Sequence, residues 1–233
     1  MTVRAVFFDA AGTLIKPVRR VGESYALVAR KFGMNVSPSE LTERFRVCFG
    51  ASPPLAFPGA PDAEIKTLER DWWKRLVRKI FEPWESIEQF DDYFSELFDY
   101  FARPDSWALY PEVLETLSAL KQRGLILDVL SNFDSRLIGI LNGLGAGYWF
   151  DEIVISSRAG HAKPDQRIFA AALAKHGLEP ISAAHVGDSE KNDLGGANEA
   201  GLKGILVDRD RENPSAMGPR VTSLWDILPL LDD

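Results

Sequence analysis

Apolar residues along this chain follow two regimes. In the first, short unbroken runs stop abruptly at a polar residue. They are Ala5–Phe8 (AVFF) before Asp9, 125–130 (LILDVL) before Ser131, 153–156 (IVIS), 183–186 (AAHV) before Gly187 and Asp188, and 204–207 (GILV) before Asp208. Runs of this length without alternation predict strands covered on both faces. Between them the period becomes helical. Residues 111–123 set Val113, Leu114, Leu117 and Leu120 at helical spacing and end at Gly124, a C-terminal cap. Residues 135–144 carry Leu137, Ile138, Leu141 and Leu144; residues 165–176 follow Pro164 with Ile168, Phe169, Ala172 and Leu173; residues 190–200 end at Gly201. Strand and helix in alternation predict an α/β fold, a Rossmann-like, mainly parallel sheet with helices on both faces.

The second regime runs from 17 to 105 and contains no strand pattern. It is rich in aromatic residues at helical spacing, as in Phe90, Tyr93, Phe94, Leu97, Phe98 and Phe101. Helices are predicted over 20–33, 38–49, 62–81 and 86–101, with the Pro-rich stretch 51–61 as a break. The expected organisation is a core domain of residues 1–16 and 106–233, interrupted by a four-helix cap domain of residues 17–105. The aromatic stripe reads as core packing of that cap.

Composition narrows the classes. The 233 residues suit one large domain or a core with a smaller insert. A net charge of −7 argues against a nucleic-acid partner, which needs a basic balance to neutralise phosphates. The single cysteine, Cys48, excludes an intrachain disulfide and a Cys-based zinc site. No apolar run approaches a bilayer span of ~20 residues, and the N-terminal stretch lacks a secretory apolar region. A soluble cytoplasmic protein without a membrane partner is expected, its oligomeric state open.

The candidate chemistry sits where the predicted strands end. Asp9, then Ser131 with Asn132, then Lys163, then Asp188 with Asp193 follow four strands in turn. Ligands of open parallel sheets bind at those ends. Asp9 and Asp188 would repel each other unless a cation such as Mg2+ lay between them. Lys163 adds a positive point charge and Ser131 a hydroxyl donor. The turn Ala10, Ala11, Gly12 offers backbone N–H groups to an anion, while Thr13 bonds within the turn or reaches the ligand. Acceptors for one metal beside donors for one anion point to phosphoryl chemistry, with Asp9 as the natural nucleophile. His161 reads as a loop residue, and His185, inside an apolar strand, as a satisfied core histidine. Lys16, Arg19 and Arg20 fall at the junction of core and cap.

Four motifs in this order resemble the haloacid dehalogenase-like hydrolase superfamily over nearly the whole chain: Asp9-Ala10-Ala11-Gly12-Thr13, Leu130-Ser131-Asn132, Lys163-Pro164-Asp165, and Gly187-Asp188 through Asp193. The helical insert after the first motif resembles the family's cap. The resemblance implies Asp9 as nucleophile and metal ligand, Asp188 as a second Mg2+ ligand, and the Ala11 carbonyl completing the metal shell. Asp193 would support that shell or orient Lys163. Ser131, Asn132, Lys163 and the amides of Ala10, Ala11 and Gly12 would hold the phosphoryl group of a small substrate.

One position departs from the family. Its phosphatases carry Asp two residues after the nucleophile, and here that residue is Ala11. The missing carboxyl normally protonates the leaving oxygen and then activates water, help worth ~10²–10⁴ in rate. Three readings stay open. The first is a phosphohydrolase for good leaving groups, or one borrowing an acid from the cap or His161. The second is phosphonatase- or dehalogenase-type chemistry using a cap lysine (Lys31, Lys66, Lys74, Lys79) or a cap arginine (Arg44, Arg46), although position 50, where a phosphonatase lysine would fall, is Gly. The third is a non-catalytic binder of a ligand or protein.

Overall fold

Strand β1 (Ala5–Phe8) has four apolar side chains, all buried. Val6 and Phe8 join the apolar cluster on one face of the sheet, and Ala5 and Phe7 the cluster on the other. A strand apolar on both faces belongs in the sheet interior. In the computed structural model, which describes residues 3–84, 89–211 and 217–232, that is its place. Numbering in chain order, β1 pairs with β4 (Ile126–Ser131) on one side and β6 (Ala183–Gly187) on the other. Strand β5 (Glu152–Ile155) lies outside β4; β7 (Lys203–Val207) and the two-residue β8 (Arg220–Val221) lie outside β6. The order is β5-β4-β1-β6-β7-β8 with every pairing parallel, so the predicted Rossmann-like α/β fold is the observed one.

Helices α5 (Val113–Gln122), α6 (Arg136–Gly143), α7 (Ser156–Ala159), α8 (Gln166–His176) and α9 (Gly196–Glu199) fill the crossovers. The run predicted as a plain helix over 190–200 differs. It opens as a π-helical turn, Glu190–Gly195, and only then becomes α9. The N–H groups of Asp193 and Leu194 both converge on the Ser189 carbonyl, and Gly195 and Gly196 follow. Widened turns of this kind are frequent at functional sites. The C-terminal turn Leu224–Leu231, not foreseen, buries Leu224, Ile227, Leu228 and Leu231 against the sheet.

Between β1 and β4 the chain leaves the sheet. The short strands β2 (Ile15–Pro17) and β3 (Trp107–Leu109) pair antiparallel and tie the outgoing and returning crossings together. Both are too short to read from sequence. Beyond them lie α1 (Val21–Lys31), α2 (Pro38–Gly50), α3 (Asp62–Phe81) and α4 (Phe90–Tyr100). Positions 86–88 of the last predicted helix lie outside the described residues. The aromatic stripe packs this unit: Tyr93 meets Phe32 and Phe81 edge-on at 5.8 and 5.1 Å, a geometry worth ~0.5–1.5 kcal/mol beyond area burial. Cys48 is buried there. Among the described residues no helix is long and apolar enough to cross a membrane.

The helical unit is fastened to the sheet by buried polar contacts. Glu69 of α3, 3% exposed, accepts at one carboxylate oxygen from the Ser135 N–H (3.0 Å), the Ser135 hydroxyl (2.8 Å) and the Ser157 hydroxyl (2.6 Å). The Trp73 indole donates to Asp134 at 2.6 Å, and the Ser156 hydroxyl to the Leu55 carbonyl at 2.7 Å. Removing Glu69 leaves these donors without their acceptor. Glu69→Ala is expected to lower unfolding stability by about 3 kcal/mol, read as a fall in the urea midpoint at constant slope.

Candidate active site

The site is built from turns at the carboxyl ends of β1, β4 and β6 and the loop after β5. The Asp9 N–H donates to the Val186 carbonyl at 2.9 Å, carrying β1 pairing one residue past the strand. The chain then folds back, because the Ala10 carbonyl accepts from Leu14 and Ile15 at 2.8 and 2.9 Å. Gly12 sits at φ 88°, where a side chain is strained. A Cβ there would also fall 2.1 Å from Asp188 Oδ2, and one at Gly187 would fall 2.1 Å from Asp193 Cγ. Glycine at both positions gives the two carboxylates their space. Of the three turn amides assigned to an anion, Gly12 N–H donates to the Ile15 carbonyl at 2.8 Å. Turn closure engages that donor, so Gly12 contributes room, and Ala10 and Ala11 stand as the turn's candidate donors.

Lys163 is 4% exposed and lies between two acids. Its ammonium donates to Asp9 Oδ1 at 2.8 Å and to Asp193 Oδ1 at 2.5 Å, with His185 Nε2 at 3.4 Å. The loop carrying Lys163 has no strand partner, and Asn132 supplies one. Its amide donates to the Lys163 carbonyl at 2.9 Å and accepts from the Lys163 N–H at 2.7 Å. Both polar ends of Asn132, read from sequence as a phosphate contact, are thus engaged with backbone. Ser131 ends β4, 2% exposed. The buried Thr13 hydroxyl has no hydrogen-bond partner among the described residues.

Asp9, Asp188 and Asp193 place one carboxylate oxygen each within 4.8 Å of one another. Burial pushes Asp9 above the usual carboxylate range, with Lys163 offsetting part of the effect. Burial, then Asp9 and Asp193, push Asp188 up to about 7, although its side chain still faces the cleft. Burial acts the same way on Asp193, but Lys163 and His185 outweigh it and hold Asp193 well below the usual range. Burial, then the neighbouring ammonium, push the His185 imidazole pKa down; its Nε2 bonds Asp193 at 2.8 Å, and its buried Nδ1 has no partner among the described residues. Three carboxylates meet one lysine, so the cluster is short of positive charge.

Other predicted residues lie apart. His161 is half-buried beside Asp165 and does not line the cleft cavity described below. Arg44 donates to the Lys79 and Ile80 carbonyls, Arg46 pairs with Glu43, Lys31 with Glu96, and Lys74 with Asp91. Lys66 and Lys79 are exposed. The cation facing the cavity is instead Arg136, from the sheet unit.

Two features escaped sequence reasoning. Arg209, just past β7, donates to the Thr13 carbonyl (2.8 Å), the Gly12 carbonyl (3.3 Å) and Glu112 (2.6 Å), and lies 3.6 Å over the Tyr110 ring. It holds the turn after Asp9 from outside. The strand-end rule that located Asp9 places Arg209 near the site but does not reveal its backbone targets. The second is a cavity of about 270 Å³ floored by Ala11 and Asn132, with Tyr25, Phe49, Trp73 and Phe98 among its walls.

A buried loop lysine between two acids, with a third acid on the cleft, on a parallel sheet bearing a helical insert, defines the class. A haloacid dehalogenase-like hydrolase family model matches residues 3–201, and the chain belongs to that family of hydrolases. It is 35% identical over 244 residues to human haloacid dehalogenase-like hydrolase domain-containing protein 3, spanning 100% of this chain and 95% of that one. It is 38% identical over 120 residues to phosphoserine phosphatase from Thermus thermophilus, about half of each chain (50% and 48%). Among solved structures, an L-2-haloacid dehalogenase from Xanthobacter autotrophicus with covalently bound chloropropionic acid superposes with a TM-score of 0.71 at 19% identity, covering 98% of each chain, a likeness of fold.

Lys163→Met should expose the charge imbalance. In the parent, Lys163 holds Asp193 low, so its contribution is present above the unfolded carboxylate pKa and is lost only in strong acid. Without the ammonium the clustered carboxyls titrate above their unfolded values, and stability falls as pH rises. The deficit of the variant against the parent should widen by about 1–3 kcal/mol from pH 5 to pH 8 in urea titrations.

Proposed function

We propose that the protein is a Mg2+-dependent phosphohydrolase that acts on a small phosphorylated substrate through an aspartyl phosphate at Asp9. The observation that carries this reading is the cluster of three carboxylates within 4.8 Å around one buried lysine. The donor set fits the ion: hard carboxylate oxygens suit Mg2+, and Gly12 and Gly187 leave the room in which they converge. Asp9, Asp188 and the Ala11 carbonyl would hold the metal. Asp193, engaged by Lys163, His185 and the Ser189 N–H, would brace the shell. The ion would neutralise phosphoryl oxygens. The relative that is a phosphoserine phosphatase supports the same class.

Lys163 fixes the Asp9 carboxylate and offers positive charge to the incoming anion. Ser131 and the Ala10 and Ala11 amides add donors. The helical unit over residues 17–105 acts as a cap that excludes water, and the remainder as the catalytic core. An Asp9 oxygen attacks phosphorus and the leaving oxygen departs with its electron pair. Ala11 supplies no proton, so substrates with acidic leaving groups are favoured. Water then cleaves the acyl phosphate without a general base beside it, which makes this second step slow. A dehalogenase-type reaction would need a cap arginine in the cleft, and Arg44 is bonded to α3 backbone while Arg46 pairs with Glu43.

With Mg2+ and 4-nitrophenyl phosphate, nitrophenol release is expected to begin with a burst of about one equivalent per chain, then slow. Asp9→Asn abolishes both phases; absence of any Asp9-dependent release would overturn the proposal. Ala11→Asp should raise the steady rate by about 10²-fold. Because Asp188 titrates near 7 and must be ionised to bind metal, Mg2+ affinity by calorimetry should fall by about tenfold per pH unit below 7.

A further inference from the structure

The cavity above Ala11 carries information about the substrate. Its floor is Ala11, two residues from the nucleophile, and Asn132, which clamps the lysine loop. A substrate with its phosphorus at Asp9 would project its leaving group across the Ala11 methyl into this space. Nearly every polar side-chain group on the lining is already bonded to protein. The Trp73 indole and the Arg136 guanidinium are held by Asp134, Arg136 also by the Phe98 carbonyl, and the Asn132 amide by Lys163. The Arg136 guanidinium carbon lies 3.9 Å over the Phe98 ring, which covers it on that side. The Tyr25 hydroxyl alone has no protein partner among the described residues, and burial pushes its pKa upward, away from use as an acid. The remaining surface is carbon, largely aromatic. Its cation, Arg136, is paired with Asp134, so little beyond the Tyr25 hydroxyl is left to receive the polyhydroxyl or amino-acid part of a metabolite.

Size and reactivity agree with this surface. A dry apolar cavity of ~150 Å³ takes one benzene ring, and this one is about 270 Å³. A phenol ionises near pKa ~10, like tyrosine, far below an alkyl alcohol. Its anion therefore leaves without the acid that Ala11 cannot provide. We infer that the substrate is a phosphate monoester of an apolar phenol or enol of one to two rings, with the ring system seated in the Ala11–Phe98 cavity. The inference rests on the phosphohydrolase reading. In the reaction an Asp9 oxygen bonds to phosphorus as the P–O(aryl) bond breaks. The aryloxide keeps the electron pair and takes a proton from water. A second water then attacks phosphorus and the bond to Asp9 breaks, restoring the carboxylate; one of that water's protons leaves on the phosphate and the other neutralises the hydroxide left by the first water.

The test compares substrates by kcat/KM, which reports the first chemical step. Phenyl and 2-naphthyl phosphate have leaving groups of similar acidity and differ in apolar size. Acetyl phosphate has a good leaving group without a ring, and phosphoserine and glycerol 3-phosphate are polar alkyl esters. The expected result is a naphthyl-over-phenyl preference of about 10–100-fold, with both above the alkyl esters. Val21→Trp, which fills the cavity from α1, should bring that preference close to one, with circular dichroism confirming the fold. If acetyl phosphate is turned over in an Asp9-dependent way while naphthyl and phenyl phosphate are equal, or the alkyl esters are preferred, the substrate inference is overturned and the phosphohydrolase reading survives. If none of the five is turned over in an Asp9-dependent way, that reading falls and the inference with it.

Discussion

Three acidic side chains share a small volume at the end of the sheet, and a single buried ammonium bridges two of them. Lys163 meets Asp9 at 2.8 Å and Asp193 at 2.5 Å. A lysine this enclosed is costly unless paired, because burial disfavours its charged form. The two carboxylates reverse that and hold it charged. Much of the surrounding structure serves this contact. Asn132 fixes the loop that brings the lysine in, the π-helical turn brings Asp193 back toward the sheet, and His185 bonds Asp193 from the neighbouring strand.

Most of this arrangement was legible in the chain because it depends on strand ends. An apolar run that stops at a polar residue marks both the strand and the place where its last side chain meets the cleft, which is how Asp9, Ser131 and Asp188 announce themselves. The helices of the insert were equally plain, since their aromatic spacing has one solution. What could not be read were contacts made across long sequence distances by residues with ordinary local roles. Asn132 looks like a ligand donor by position, and only the unpaired loop opposite it reveals a clamp. Glu69 looks like a surface helix acid, and only the serines at 135 and 157 make it an interior one. Arg209 follows a strand like the others, yet its target is the backbone of residues 12 and 13. The pairing of β2 with β3 involves three residues a side, below the length at which a pattern exists.

Ala11 changes meaning between the two descriptions. In the sequence it is a departure from the motif the chain resembles, a methyl group two residues after Asp9. In space it belongs to a continuous carbon surface shared by α1, α2, α3 and α4 and the loop after β4. A carboxylate there would be a charge at the edge of an aromatic cavity, where its ionised form is disfavoured. The absence of the acid and the character of the cavity are therefore one property of the pocket seen from two sides.

The two glycines that admit Asp188 and Asp193 divide the protein into parts with different capacity for change. At positions 12 and 187 even a single added carbon would collide with an acid, so inherited variation has almost nowhere to go on that side of the cleft. The aromatic walls opposite come from four separate helices and tolerate exchange of one ring for another of similar volume. Divergence toward new specificities in this lineage would then be expected to accumulate in the helical unit, leaving the reactive floor unaltered.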